Sequence, residues 1–118
     1  QKYKMITIYH NSRCTKSREG LCEIELLQQP FTIRNYMIDY FTSDELKEVI
    51  KKLGIPPIEL VRTKESIWIE HYKNKELSVA EIIEAMLKHP KLIERPIIVF
   101  GEKAIIARPK ERIKELIR

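Results

Sequence analysis

One feature restricts this chain more than any other: a strand, a helix and a second strand follow one another within the first 36 residues. Met5-Ile6-Thr7-Ile8-Tyr9 is apolar and partly β-branched, a strand signal. His10-Asn11-Ser12-Arg13 is a polar turn. From Cys14 to Gln28 the chain reads as a helix, with Leu21, Ile24 and Leu27 at helical spacing, Gly20 as the one interruption and Pro30 as the stop. Phe31 to Tyr36 alternates as a second strand. A βαβ unit this compact sets its two strands parallel in one sheet.

The remainder completes that sheet. Thr42 with Glu45 forms a capping-box pattern, Leu46, Val49, Ile50 and Leu53 follow on one helical face, and Gly54 ends the helix. Pro56-Pro57 opens a short segment through Arg62. Ser78 with Glu81 repeats the capping box, ahead of Val79, Ile82, Ile83 and Met86 on one face and Pro90 as the stop. Ile97-Ile98-Val99-Phe100, the connector Gly101-Glu102-Lys103 and Ala104-Ile105-Ile106-Ala107 read as a β-hairpin. Arg108-Pro109 opens a last helix carrying Ile113, Leu116 and Ile117, with Pro109 suited to its first position. The order β-α-β, helical block, β-β-α predicts an α/β protein: a four-stranded thioredoxin-like sheet with a helical insertion at about 42–93, in a single domain spanning 1–118.

Composition narrows the class. At 118 residues, with 43% hydrophobic and 33% charged side chains, the chain is globular and needs no disulfide framework. Its longest apolar run, Ile97 to Phe100, is far short of the roughly 20 residues of a membrane helix. No charged-then-apolar leader opens the sequence, so the expected compartment is the reducing cytoplasm. His10, His71 and His89 are scattered and no Cys-x-x-Cys is present, so no metal is expected. The net charge of +5 fits a small anionic substrate better than nucleic acid, because basic runs never exceed two residues and aromatics do not interleave with them. Nothing in the sequence demands more than a monomer.

Cys14 carries the chemistry. It stands at the junction of the first strand and first helix, where free N–H groups and the helix dipole favour an anion and so lower a thiol pKa. An unperturbed thiol near pKa 8.5 is only about 3% thiolate at pH 7, too little for an effective nucleophile. Arg13, Lys16 and Arg18 add positive charge nearby, and a protonated His10 would add more. Cys22, eight residues on, lies roughly 12 Å away along a helix axis, beyond disulfide reach, and reads as a core residue. Any resolving thiol must therefore come from outside, glutathione or a glutaredoxin being the natural candidates. Arg62, Arg95 and Arg108 each stand at an element boundary; several guanidinium groups around a thiolate would make an oxyanion pocket, while any one alone reads as an ordinary surface ion pair.

These residues resemble a known family. His10-Asn11-Ser12-Arg13-Cys14-Thr15-Lys16-Ser17-Arg18 after a strand is similar to the active-site loop of the glutaredoxin-coupled arsenate reductases. Leu60 to Lys64, His89-Pro90-Lys91-Leu92-Ile93-Glu94-Arg95-Pro96-Ile97 and Ala107-Arg108-Pro109 match the segments carrying that family's three arginines, so the likeness spans nearly the whole chain. The resemblance implies that Cys14 attacks arsenate to form a thiol-arsenate adduct, that His10 lowers its pKa and that Ser17 hydrogen-bonds the sulfur. It implies that Arg62, Arg95 and Arg108 hold the oxyanion. Glutathione as co-substrate would attack the adduct, and glutaredoxin would resolve the mixed disulfide, with no bound cofactor. Pro96 matches the proline that is cis in thioredoxin-like proteins. Ser12 departs from the proline of many members and should loosen the loop. The chain is also shorter than the plasmid-borne reductases. A related branch, the Spx-type regulators, binds the RNA polymerase α subunit, often through a Cys-x-x-Cys switch. Here Ser17 replaces the second cysteine and the arginine set favours the reductase branch. A thiol oxidoreductase with another substrate is the further alternative.

Overall fold

A computed structural model describes residues 5–117. In chain order its elements are β1 (Ile6–His10), α1 (Thr15–Leu26), β2 (Phe31–Asn35), α2 (Ser43–Leu53), a 3-10 turn (Pro57–Leu60), α3 (Ser66–His71), α4 (Val79–Lys88), a second 3-10 turn (Pro90–Leu92), β3 (Ile97–Phe100), β4 (Lys103–Ile106) and α5 (Arg112–Leu116). β1 pairs in parallel with β2, Ile6 opposite Phe31 and His10 opposite Asn35. On its other side β1 runs antiparallel to β3, and β3 antiparallel to β4, giving the order β2-β1-β3-β4. This is the thioredoxin-like α/β sheet expected from the element order.

The contacts divide the chain into two compact units, one of residues up to Asp39 together with those from Arg95 onward, the other of Tyr40–Glu94. In the first, Ile6, Ile8 and Ile98 of the sheet pack on Ile24 of α1 and Ile113 of α5, with Leu21, Leu27, Leu116 and Ile117 closing the edges. The alternating burial of β1 follows from its period of two, and His10 falls on a buried position at its end. The second unit is helical. Both capping boxes form: Thr42 Oγ1 accepts from the Glu45 N–H at 3.1 Å and Glu45 Oε1 from the Thr42 N–H at 2.9 Å. Ser78 and Glu81 repeat this at 3.2 and 2.8 Å. Gly54 ends α2 in the left-handed region, at φ 67°. Leu46, Val49, Ile50, Ile82, Ile83 and Met86 are buried as the spacing predicts.

Several details depart from the sequence reading. Cys22 is exposed rather than core: the buried positions of α1 are Ser17, Gly20 and Ile24, and two residues either way from Gly20 or Ile24 turns a side chain to the opposite face. Val79, the first residue of α4, is 57% exposed. Lys103 belongs to β4, paired with Phe100, so the hairpin loop is Gly101-Glu102, with Gly101 at φ 63° as a II′ turn requires. Pro109 is not the first residue of α5, which begins three residues later at Arg112. The Arg95–Pro96 peptide is cis, as the resemblance implies, and so is Arg108–Pro109. Helix α3 has no capping signature to announce it, and its Trp68 is buried and stacked on Tyr72 with ring centroids 5.1 Å apart.

Gly20 has a structural reason to be glycine. A Cβ there would lie 2.7 Å from Pro96 Cγ, closer than carbon atoms approach. Alanine gains about 1 kcal/mol of helix propensity, but the clash costs roughly 1–3 kcal/mol. Gly20→Ala should therefore lower the midpoint of urea denaturation. A raised midpoint would show that α1 and Pro96 part without cost.

Candidate active site

The site is built in the loop between β1 and α1. Cys14 is the N-cap residue of α1, in extended backbone at φ −99° and ψ 123°. Its N–H donates to the Asn11 carbonyl at 3.0 Å, and its carbonyl accepts from the Arg18 N–H at 3.0 Å. The loop is braced from both ends. Asn11 Oδ1 accepts from the Arg13 N–H at 3.0 Å, an Asx turn. Arg18 donates through Nη1 to the Ser12 carbonyl at 2.9 Å and through Nη2 to Thr15 Oγ1 at 3.2 Å. The expected loosening at Ser12 is thus opposed by a direct hydrogen bond to its carbonyl. Asn11 braces this loop although the sequence reading gave it no role, and Arg18, read there only as added positive charge, braces it too. The sequence signal for Asn11 is an Asx residue just before a helix start.

Below the cysteine lies a buried polar group of three. Ser17 Oγ accepts from the Asn11 N–H at 3.0 Å and is bonded to His10 Nδ1 at 2.7 Å. The Ser17 side chain has no exposed surface, and His10 and Asn11 are buried beside it. His10 has its pKa lowered by burial first and then by the Arg18 charge, only partly offset by its bond to Ser17. Burial and the Arg18 charge thus disfavour the imidazolium, against a role for His10 as a cation beside the thiol. Its contact is with Ser17, whose Oγ also accepts from the Asn11 N–H.

The thiol of Cys14 is half-buried, and that burial pushes its pKa up. The opposing influences win. A hydrogen bond from Arg95 to the sulfur, the Arg95 charge, and the backbone N–H groups of Ser17 and Lys16 together bring the pKa below the ordinary thiol value. Those two N–H groups belong to the first turn of α1 and act electrostatically, since the cysteine makes no formed cap bond. Arg108 Nη2 also reaches the sulfur, at 3.5 Å, while its Nε donates to the Arg95 carbonyl at 2.6 Å. The structure thus brings together Cys14, Arg95 and Arg108, with Ser17 and His10 beneath. Arg62 lies in the other unit, its Nε 3.3 Å from Glu65 and its Nη1 3.3 Å from Glu94. Its N–H donates to the Leu92 carbonyl at 2.7 Å, and Val61 bridges to Ile93, which fixes its backbone beside the Leu92-to-Glu94 segment.

His10 gives a pH prediction. Its pKa is lower folded than unfolded, so the unfolded chain binds more protons between the two values. The contribution is present above the unfolded pKa of about 6.5 and is lost as the pH falls through the folded value. Thermal denaturation midpoints should fall on acidification below about pH 6.5, and His10→Gln should flatten that slope. Equal slopes in both proteins would remove His10 as the cause.

Among the described residues no helix is long and apolar enough to cross a membrane, and no group of three or more His, Cys, Asp or Glu is placed to hold a metal ion. A sheet of this order, with one cysteine at the start of its first helix and guanidinium groups on the sulfur, defines a thioredoxin-like thiol protein. The chain belongs to the ArsC family, whose sequence pattern matches residues 9–116. It is 39% identical over 114 residues to an arsenate reductase of Haemophilus influenzae, covering 95% of this chain and 98% of that one. It is 37% identical to an arsenate reductase of Escherichia coli, over 95% of this chain and 80% of that longer one. A solved arsenate reductase structure from Vibrio cholerae superposes with a TM-score of 0.92 at 34% identity, over 98% of this chain and 100% of the other.

Proposed function

We propose that this chain reduces arsenate to arsenite, with Cys14 as the nucleophile. The observation that carries the reading is the Cys14 sulfur at the start of α1, hydrogen-bonded by Arg108 Nη2 at 3.5 Å, with Arg108 Nε in turn holding the Arg95 carbonyl at 2.6 Å. Arsenate is a tetrahedral oxyanion, and guanidinium forks match pairs of its oxygens. Arg95 and Arg108 hold it, and Arg62 is the third arginine of the set. The thiolate attacks arsenic: an S–As bond forms, one As–O bond breaks, and the oxygen leaves as water after taking up protons. The positive pocket offsets the charge that builds up at arsenic.

Glutathione supplies the second thiol. Its thiolate attacks Sγ of the adduct, so an S–S bond forms and the S–As bond breaks with its electron pair on arsenic. Arsenic passes from As(V) to As(III) and leaves as arsenite, while two thiols become one disulfide. Glutaredoxin then exchanges its thiol into the Cys14–glutathione disulfide and frees Cys14. The reaction draws on no bound metal or organic cofactor, and the protein works as a monomer in the cytoplasm. Ser17 and His10 hold the loop that presents Cys14.

The test is arsenate-dependent NADPH consumption in a system of glutathione, glutaredoxin and glutathione reductase. The expected result is turnover that saturates with arsenate and requires glutaredoxin. No turnover, from protein whose Cys14 still reacts readily with a disulfide, overturns the arsenate reading in favour of another substrate.

A further inference from the structure

A cavity of about 390 Å³ opens beside the cysteine loop within the same unit, lined by Lys16, Glu19, Arg108, Pro109, Lys110 and Glu111. Its size is at the lower end of the range for small-molecule sites. Arg108 belongs both to this cavity and to the thiol, with Nη2 3.5 Å from Cys14 Sγ. Anything filling the cavity therefore sits across one guanidinium group from the reacting sulfur. Three of the lining side chains are cationic and two anionic, a net positive balance. The lysines are held loosely: Lys16 lies 3.7 Å from Glu19 and Lys110 lies 3.8 Å from Glu23. Exposed pairs at such distances stabilise by at most about 1 kcal/mol, so a ligand carboxylate displaces either glutamate readily.

We infer that this cavity is the docking site of the second thiol, and that it selects a short peptide thiol bearing carboxylates. Lys16 and Lys110 take the carboxylates, Pro109 and Ala107 floor the peptide, and the peptide sulfur is delivered past Arg108 to Cys14. The step at the sulfur is thiol–disulfide exchange or its arsenic counterpart, attack of one thiolate on the partner's sulfur, with the displaced group leaving with the electron pair. The inference places the reductant of the proposed reaction, but the site's selectivity is measurable without arsenate.

The probe is oxidised glutathione, with 2-hydroxyethyl disulfide as its uncharged counterpart. Cys14 thiolate attacks either disulfide, forming a mixed disulfide and releasing one thiolate. The second-order rate for each is read from intact-protein mass. The wild-type protein should prefer oxidised glutathione, and the double variant Lys16→Glu, Lys110→Glu should lower that preference ratio at least tenfold. Lys103→Glu, an equal change of charge per site at an exposed residue of β4, should leave the ratio within twofold. A ratio unchanged in the double variant, or lowered as much by Lys103→Glu, overturns the docking site. Because no arsenate is present, either result is independent of the arsenate reading, which stands or falls on the coupled assay.

Discussion

Cys14→Ser should leave arsenate turnover at the background of the coupled assay, a loss of at least about a thousandfold, while the denaturation midpoint stays close to that of the parent. The physical ground is the nucleophile itself. A serine hydroxyl at this position, with the same Arg95 hydrogen bond and the same N–H groups of Lys16 and Ser17 around it, remains protonated at neutral pH. It forms no bond to arsenic that a second thiol reduces by attack at sulfur. Folding is spared because Cys14 is only half-buried and makes no formed side-chain cap bond. Turnover retained by the serine variant would move the chemistry elsewhere. The other cysteine, Cys22, would then be the first place to look, since it is exposed.

The second large effect is expected at Arg95. Its hydrogen-bonding group is the largest influence that brings the Cys14 pKa down against burial, followed by the Ser17 N–H and then the Arg95 charge. Arg95→Ala removes that group and that charge and should raise the thiol pKa, so the alkylation-rate profile against pH moves to higher pH. It also removes one guanidinium fork from the oxyanion. Hydrogen bonds to charged groups contribute about 1.5–3 kcal/mol each, so arsenate KM should rise roughly ten- to a hundredfold. Arg95→Lys separates the two roles: the charge stays and the planar fork goes. Its pH profile should lie nearer the parent's, while its arsenate KM rises with the alanine variant's. Equal arsenate KM in all three proteins would remove Arg95 from the oxyanion site.

Arg108 differs from Arg95 in how it is held. Its Nε is committed to the Arg95 carbonyl at 2.6 Å, which leaves its Nη atoms to face the sulfur and the neighbouring cavity. That hydrogen bond ties the turn containing Arg108 to the run into β3.

Much of this arrangement was legible because the sequence expresses it locally. The alternation of β1, the spacing of Ile24 and Leu27, and the two capping boxes depend only on neighbours along the chain. Cys14 at a strand-to-helix junction was legible for the same reason. What escaped depends on tertiary contact. Cys22 reads as core until the buried face of α1 is known to run through Ser17, Gly20 and Ile24. Helix α3 has Glu65 at its N-cap with no side-chain cap bond, so only the burial of Trp68 marks it. Pro109 looks like a helix opener, but Arg108 is bound to Arg95, and the chain turns before α5 begins at Arg112. His10 reads from its spacing as a cation for the thiol, whereas burial and Arg18 disfavour its charged form and its ring bonds to Ser17. Gly20 seemed a mere interruption of the helix, and its reason is Pro96, far away in sequence.

The central claim is that Cys14 is a thiolate poised on an oxyanion site. Alkylation of the native protein by iodoacetamide, followed residue by residue by mass spectrometry with and without arsenate, tests it directly. Cys22, exposed on the far side of α1, is the reference thiol within the same molecule. The account predicts that Cys14 alkylates with a midpoint below the ordinary thiol value of about 8.5. It also predicts that arsenate slows Cys14 in a saturable way and leaves Cys22 untouched. A Cys14 midpoint at or above that value, with arsenate protecting neither cysteine, would contradict it.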